Sequence, residues 1–155
     1  MNRIKSFTIN HNLLMPGFYI SREDGDVITY DLRTRKPNAG DYMDNATMHS
    51  LEHMFATYIR NSEMGNEVVY FGPMGCRTGF YLIIAGDYKS EDIVDLMISM
   101  FEFIRHYHDP IPGANPRECG NYQDMNLNMA NYLAEKFLKE VLYNIGEDRL
   151  NYPEG

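Results

Sequence analysis

The sequence predicts an α+β domain in which an antiparallel sheet has helices packed on one of its faces. Two pairs of β-rich segments, each interrupted by a turn signal, predict the sheet. Three segments with apolar residues at helical spacing predict the helices, and the order of hairpins followed by helices favours this class over an alternating one. At 155 residues, the chain fits a single domain over residues 1–155 with one hydrophobic core.

Two hairpins account for the predicted strands. Residues 18–21 and 27–32 are rich in β-branched and aromatic side chains, and an Asp-Gly pair between them is a strong hairpin signal. Residues 67–71 and 78–84 form a similar pair around a turn rich in glycine and proline. Cys76 therefore lies at a turn, where the backbone leaves room for a ligand.

Helical periodicity covers roughly residues 45–60, 91–107 and 124–143, where apolar side chains recur every three or four positions. Between the second and third helices, three prolines fall within residues 110–116 and exclude regular structure there. This stiff loop leads directly to Cys119 and is expected to hold it in a fixed place.

Charge and composition exclude several classes of function. The chain has 14 Lys and Arg against 22 Asp and Glu, for a net charge of −8, and no basic run that could neutralise several phosphates. No apolar stretch approaches the roughly 20 residues that span a bilayer, and the N-terminus lacks a signal-peptide core. We therefore expect a cytoplasmic protein with neither nucleic acid nor membrane as a partner.

The stretch His49-Ser50-Leu51-Glu52-His53 matches the inverted zinc motif H-x-x-E-H. On the first predicted helix, the two imidazoles lie one turn apart on the same side, nearly opposite the apolar face, so they could chelate one cation. A metal site is one interpretation; the other is a solvated helix face that happens to carry two histidines.

The two cysteines have different candidate roles. Cys119 is a candidate third ligand, and a site of two histidines and one thiolate would leave a fourth position for water or substrate; the alternative is a small buried apolar side chain. Cys76, beside Arg77, is a candidate acid, base or nucleophile that does not bind the metal; the alternative is a turn cysteine buried under the sheet.

Five ordered blocks of sequence, spread through most of the chain, are together far more specific than any one of them. They comprise residues 6–7 with 10–12, 30–33 with 36–38, 49–53, 73–81 and 118–122. In this combination the chain resembles the S-ribosylhomocysteine lyase (LuxS) family, and the resemblance implies a LuxS/inverted-zinc-peptidase-like metallohydrolase domain.

The resemblance also implies roles for individual residues. His49, His53 and Cys119 would hold Fe²⁺, which Zn²⁺ or Co²⁺ can replace, with a water completing a tetrahedral site. Glu52 and Cys76 would transfer protons. The residues lining the substrate site would be Ser6, His11 and Arg33. The family is homodimeric with active sites at the subunit interface, which would explain a helix face that is neither core nor rich in lysine.

The reaction implied by the resemblance is cleavage of S-ribosyl-L-homocysteine to homocysteine and 4,5-dihydroxy-2,3-pentanedione, the autoinducer-2 precursor of quorum sensing. It proceeds by two aldose–ketose isomerisations and a β-elimination, with the metal as Lewis acid. The residues alone are also compatible with two other functions: a small inverted-motif metallopeptidase, and a non-catalytic metal- or ligand-binding relative.

Three positions depart from the pattern of the family. Asn10 stands where aspartate is usual, and Tyr70 and Gly72 stand where aspartate and serine usually precede the catalytic cysteine. The second segment helps to receive the homocysteine end, where a carboxylate could pair with an ammonium group. We therefore expect recognition of homocysteine to differ here, while every metal and proton-transfer position is retained.

Overall fold

The computed structural model describes residues 1–155 and consists of a four-stranded antiparallel sheet and three α-helices. The strands are β1 (Gly17–Asp24), β2 (Val27–Arg33), β3 (Val68–Pro73) and β4 (Gly79–Ala85), in the spatial order β1-β2-β4-β3. The helices are α1 (Asn45–Arg60), α2 (Ser90–Arg105) and α3 (Leu127–Glu140). None of the helices is both long enough and apolar enough to cross a membrane. The predicted α+β class with two hairpins is confirmed.

The helices pack on one face of the sheet, as predicted. Alternate side chains of the strands point into this layer because the side-chain period of a strand is two. The fully buried strand residues there are Phe18, Tyr30, Leu32, Phe80, Leu82 and Ile84. On α1, Leu51 and Phe55 lie in the same core, whereas Met48 and Tyr58 are only partly buried at its margin.

The opposite face of the sheet is covered by the two ends of the chain. The amide of Ile20 donates to the carbonyl of Leu150 at 2.9 Å, and Arg149 Nη1 donates to the carbonyl of Pro16 at 2.7 Å. Asp31 and Arg33 are buried on this face, and residues of both chain ends border a cavity beside it.

Helix α3 begins later than the predicted residue 124. The Asn126 side chain accepts a hydrogen bond from the amide of Met129 at 3.1 Å and caps the helix, so residues 124–126 lie outside it. The late start leaves the carbonyl of Asp124 outside the helix, where it contacts the candidate site.

Candidate metal centre and adjacent cavities

Helix α1 positions the histidine pair. Asp44 caps its N-terminus by accepting a hydrogen bond from the amide of Thr47 at 2.7 Å, which fixes where the helix starts. His49 and His53 follow one turn apart, with ring centroids 4.7 Å apart and the ring planes at 79°. Both rings leave the helix on the side away from the core, as the periodicity predicts.

His49, His53 and Cys119 converge as a potential ligand set, with one ligand atom from each lying within 4.8 Å of the other two. The distance between His49 Nε2 and Cys119 Sγ is 3.4 Å. In a tetrahedral site with metal–ligand bonds of about 2.0–2.3 Å, neighbouring ligand atoms lie about 3.5 Å apart. The spacing fits a single metal ion, and the predicted convergence of these three residues is confirmed.

Backbone carbonyls orient both imidazoles. His49 Nδ1 is 3.0 Å from the carbonyl of Asp124, and His53 Nδ1 is 2.8 Å from the carbonyl of Pro112. An Nδ1–H that donates to a carbonyl leaves the lone pair on Nε2, which is the usual arrangement around a protein-bound metal. This feature is independent of the ligand spacing and also fits a metal ion.

The loop between α2 and α3 holds Cys119 against the histidines. The amide of Cys119 donates to the carbonyl of Asn115 at 3.0 Å, and the amide of Asn121 lies 3.4 Å from Cys119 Sγ. Gly113 adopts a left-handed φ of +73° and lies against the ring of His53. The loop therefore packs against the face of α1 that carries the histidines.

Glu52 and Cys76 do not belong to the ligand group. Glu52 lines a cavity of about 440 Å³ beside the centre, together with His53, Gly113 and Glu118. The donor set is thus two nitrogens and one sulfur, which suits zinc or ferrous iron.

A second cavity, of about 420 Å³, contains Cys76. Its walls also include Ser6, His11 and Arg33, so the structure brings the three predicted substrate-binding residues to the predicted catalytic cysteine. Cys76 lies in the turn between β3 and β4, and this turn is exposed, so its thiol is not buried under the sheet.

Arg33 is a cation that contacts Cys76, whereas the sequence had suggested the adjacent Arg77 for this role. Arg33 Nη1 lies 3.9 Å from Cys76 Sγ, and the Thr78 hydroxyl lies 3.0 Å from the same sulfur. Arg33 in turn pairs with Asp31. Neither Thr78 nor Asp31 was singled out in the sequence, although strand alternation puts Asp31 and Arg33 on one face of β2.

Within one chain the two groups of candidate residues remain apart. The cavity that contains Glu52 and His53 shares no lining residue with the one that contains Cys76 and His11. Glu52 and Cys76 therefore line separate cavities of one chain.

A larger cavity, of about 480 Å³, adjoins that of Cys76 and shares Ser6, Ile9 and Tyr81 with it. Tyr70, which the sequence led us to expect to alter recognition of homocysteine, forms part of its wall.

These features define a class: a small α+β protein with a candidate metal centre of two histidines and a cysteine beside a cysteine-containing cavity. The family model described as S-Ribosylhomocysteinase (LuxS) matches residues 4–148. The chain is 53% identical to an S-ribosylhomocysteine lyase of Clostridium beijerinckii, over 99% of each chain. It is 54% identical to one of Finegoldia magna and 52% identical to one of Borreliella burgdorferi, in each case over 99% of this chain and all of the relative. The chain belongs to the S-ribosylhomocysteinase (LuxS) family.

Proposed function

We propose that this protein is an S-ribosylhomocysteine lyase, which cleaves S-ribosyl-L-homocysteine to homocysteine and 4,5-dihydroxy-2,3-pentanedione. The observation that carries the proposal is the convergence of His49, His53 and Cys119 in a chain of this family. The proposal includes a single inverted-zinc-peptidase-like lyase domain over residues 1–155, a cytoplasmic location and a product used in quorum sensing.

The proposed metal is Fe²⁺, with Zn²⁺ or Co²⁺ able to substitute, bound by His49 Nε2, His53 Nε2 and Cys119 Sγ. When bound, the ion would act as a Lewis acid that polarises the carbonyl group of the opened sugar. The carbonyls of Asp124 and Pro112 support this assignment, because they hold both imidazoles with Nε2 available.

Cys76 and Glu52 are the proposed proton-transfer groups. Each isomerisation removes a proton from the carbon next to the carbonyl and returns one to the former carbonyl carbon, so the carbonyl moves from C1 to C2 and then to C3. Support for the role of Cys76 comes from its contacts, because Arg33 Nη1 and the Thr78 hydroxyl lie 3.9 Å and 3.0 Å from Cys76 Sγ and place a cation and a hydroxyl beside the sulfur.

The final step is a β-elimination. The C3 carbonyl makes the C4 proton acidic, and a base that removes this proton expels the homocysteine sulfur from C5 with the electron pair of the carbon–sulfur bond. Ser6, His11 and Arg33 are proposed to hold the substrate, since they line the cavity into which Cys76 opens.

A homodimer would bring the two groups of residues together, with Cys76 from one subunit and Glu52 from its partner at each active site. Support comes from their separate cavities within one chain. It also comes from Phe7 and Tyr42, which line cavities that contain Cys76 although 64% and 41% of their surfaces are exposed. Large apolar side chains exposed around a cavity are typical of a surface that another chain covers.

Mixed dimers test this arrangement. Cys76→Ala and Glu52→Gln chains, each inactive alone, are co-expressed with different tags. If each active site combines residues of two subunits, one of the two sites in the mixed dimer has both groups intact, and a statistical mixture recovers about a quarter of wild-type activity. If each active site were formed within one chain, the mixed dimer would recover no activity.

The lyase activity is tested with anaerobically prepared protein and S-ribosylhomocysteine, by following thiol release with a chromogenic disulfide. We expect robust release by the wild type and none by Cys76→Ala. A panel of peptides serves as the control for the alternative metallopeptidase and should stay uncut. Binding of the thioether without thiol release would instead indicate a non-catalytic relative.

A further inference from the structure

Asp31 and Arg33 form a buried ion pair on the sheet face that bears Cys76. Arg33 Nη2 donates to Asp31 Oδ2 at 2.6 Å, and Arg33 Nε donates to Asp31 Oδ1 at 3.1 Å. The side chains are 3% and 0% exposed. Burial alone would lower the pKa of Arg33, but the charge and hydrogen bonds of Asp31 outweigh it and raise the pKa, so the guanidinium stays charged.

A tyrosine from the far end of the chain completes this pair. The Tyr152 hydroxyl donates to Asp31 Oδ2 at 2.7 Å, and its ring stacks on Tyr19 with centroids 5.1 Å apart. Burial, followed by the negative charge of Asp31, raises the pKa of Tyr152 far above its ordinary value. The phenol is therefore a permanent donor at neutral pH.

The other edge of the guanidinium faces the thiol. Arg33 Nη1 donates to the Thr78 hydroxyl at 2.8 Å and lies 3.9 Å from Cys76 Sγ. Because a guanidinium is a rigid plane, holding its Nε and Nη2 edge on Asp31 also fixes the position of Nη1. An unbroken series of contacts thus runs from Tyr152 through Asp31 and Arg33 to Cys76.

We propose that Tyr152 is a positioning residue for Cys76, acting through Asp31 and Arg33. By donating to the carboxylate, Tyr152 takes up part of the negative charge that Arg33 would otherwise balance alone, and more of the guanidinium's field is left for the Cys76 thiolate. The C-terminal segment is in this way part of the proton-transfer apparatus. The other titratable groups around Cys76 are His11 and Tyr81, which line its cavity, and the exposed Arg77.

The test compares Tyr152→Phe with Tyr19→Phe in the full-length, metal-loaded protein. Tyr19 is a matched control, because its ring stacks on Tyr152 but its hydroxyl donates to the carbonyl of Met15 at 2.7 Å. The rate at which iodoacetamide alkylates Cys76 is measured against pH by mass spectrometry of the Cys76 peptide. In Tyr152→Phe the midpoint should move to higher pH by about half a unit, and in Tyr19→Phe it should not move.

A second variant keeps the proposal testable if Tyr152→Phe folds poorly. Site-specific replacement of Tyr152 by 3-fluorotyrosine retains the ring but makes the phenol a stronger donor, so the midpoint should move to lower pH. A wild-type profile in either variant, or an equal shift in Tyr19→Phe, would overturn the proposal.

The role given to Cys76 rests on the proposed lyase function, but alkylation needs no substrate. If the alkylation midpoint shifts in Tyr152→Phe but the wild type releases no thiol from S-ribosylhomocysteine, the positioning role is supported and the lyase function is rejected. If the wild type releases thiol but the alkylation midpoint is unchanged in Tyr152→Phe, only the positioning role is rejected.

Discussion

The hydroxyl of Tyr70 occupies the space that a side chain at position 72 would need. A Cβ atom at Gly72 would overlap the end of the Tyr70 ring. The two residues are therefore structurally coupled: glycine at position 72 leaves room for the Tyr70 ring, which forms part of the wall of the large cavity.

Gly72→Ala should alter substrate binding with little effect on stability. The overlap involves only the end of a half-exposed side chain, so Tyr70 can swing away, and we expect the free energy of unfolding to change by less than about 1 kcal/mol. The displaced ring should raise KM about threefold to tenfold while kcat changes less.

Tyr70→Ala provides the background that isolates this coupling. In that background Gly72→Ala should have no further effect on KM, because the group it displaces is absent. Additive effects of the two substitutions on KM would contradict the coupling.

Gly113→Ala should weaken metal binding. Its φ is +73°, and the added Cβ would lie 3.1 Å from His53 Nδ1, the atom that contacts the carbonyl of Pro112. Disturbing such a support of a metal ligand typically lowers affinity by about tenfold or more. Competition with a chelator for Zn²⁺ measures the change. Gly120→Ala is the control, since a Cβ there would meet no atom within 4 Å and the affinity should stay at the wild-type value.

Arg33→Gln should destabilise the fold as well as impair activity. It leaves Asp31 buried without its cation, and breaking a buried pair in this way costs about 3–5 kcal/mol. Urea denaturation measures the loss. Arg22→Gln breaks a pair with Asp24 at 2.6 Å in which both side chains are about half exposed, and it should leave the unfolding free energy near the wild-type value. A similar loss of unfolding free energy in both variants would show that burial does not make the Arg33–Asp31 pair more important for stability than the exposed pair.

The sequence was sufficient to predict most of the fold and the three residues that converge at the candidate metal centre. Helix α1 runs over the predicted residues 45–60 because a capping Asp44 and an apolar stripe specify it locally. The histidine pair follows from one turn of that helix. The position of Cys119 could also be predicted, because a proline-rich loop limits where its sulfur can lie.

Other parts of the site depend on tertiary structure and carry no local signal. The contact of Arg33 with the Cys76 turn requires β2 to pair with β4, and the contact of Tyr152 with Asp31 joins residues 121 positions apart. The carbonyls of Pro112 and Asp124 are backbone groups, whose hydrogen bonds no side-chain pattern reveals.

The protein should lose stability as the pH rises above 10, the ordinary pKa of tyrosine. Burial and Asp31 raise the pKa of Tyr152 in the folded state, so the contribution of its protonated hydroxyl to the free energy of unfolding is fully present below pH 10. Above it, the unfolded chain loses a proton that the folded chain keeps. The free energy of unfolding should then fall by about 1.4 kcal/mol per pH unit for this group. In Tyr152→Phe, unfolding experiments between pH 9 and 11 should show a shallower decline; the same slope in both proteins would contradict the assignment.

His49, His53 and Cys119 are proposed to bind one metal ion without Cys76. X-ray absorption at the metal edge of anaerobically purified protein tests it most directly. We expect one sulfur ligand at about 2.3 Å and two imidazole nitrogens at about 2.0–2.1 Å, with the sulfur lost in Cys119→Ala and retained in Cys76→Ala. A spectrum with no sulfur, with two sulfurs, or with the sulfur retained in Cys119→Ala would contradict it.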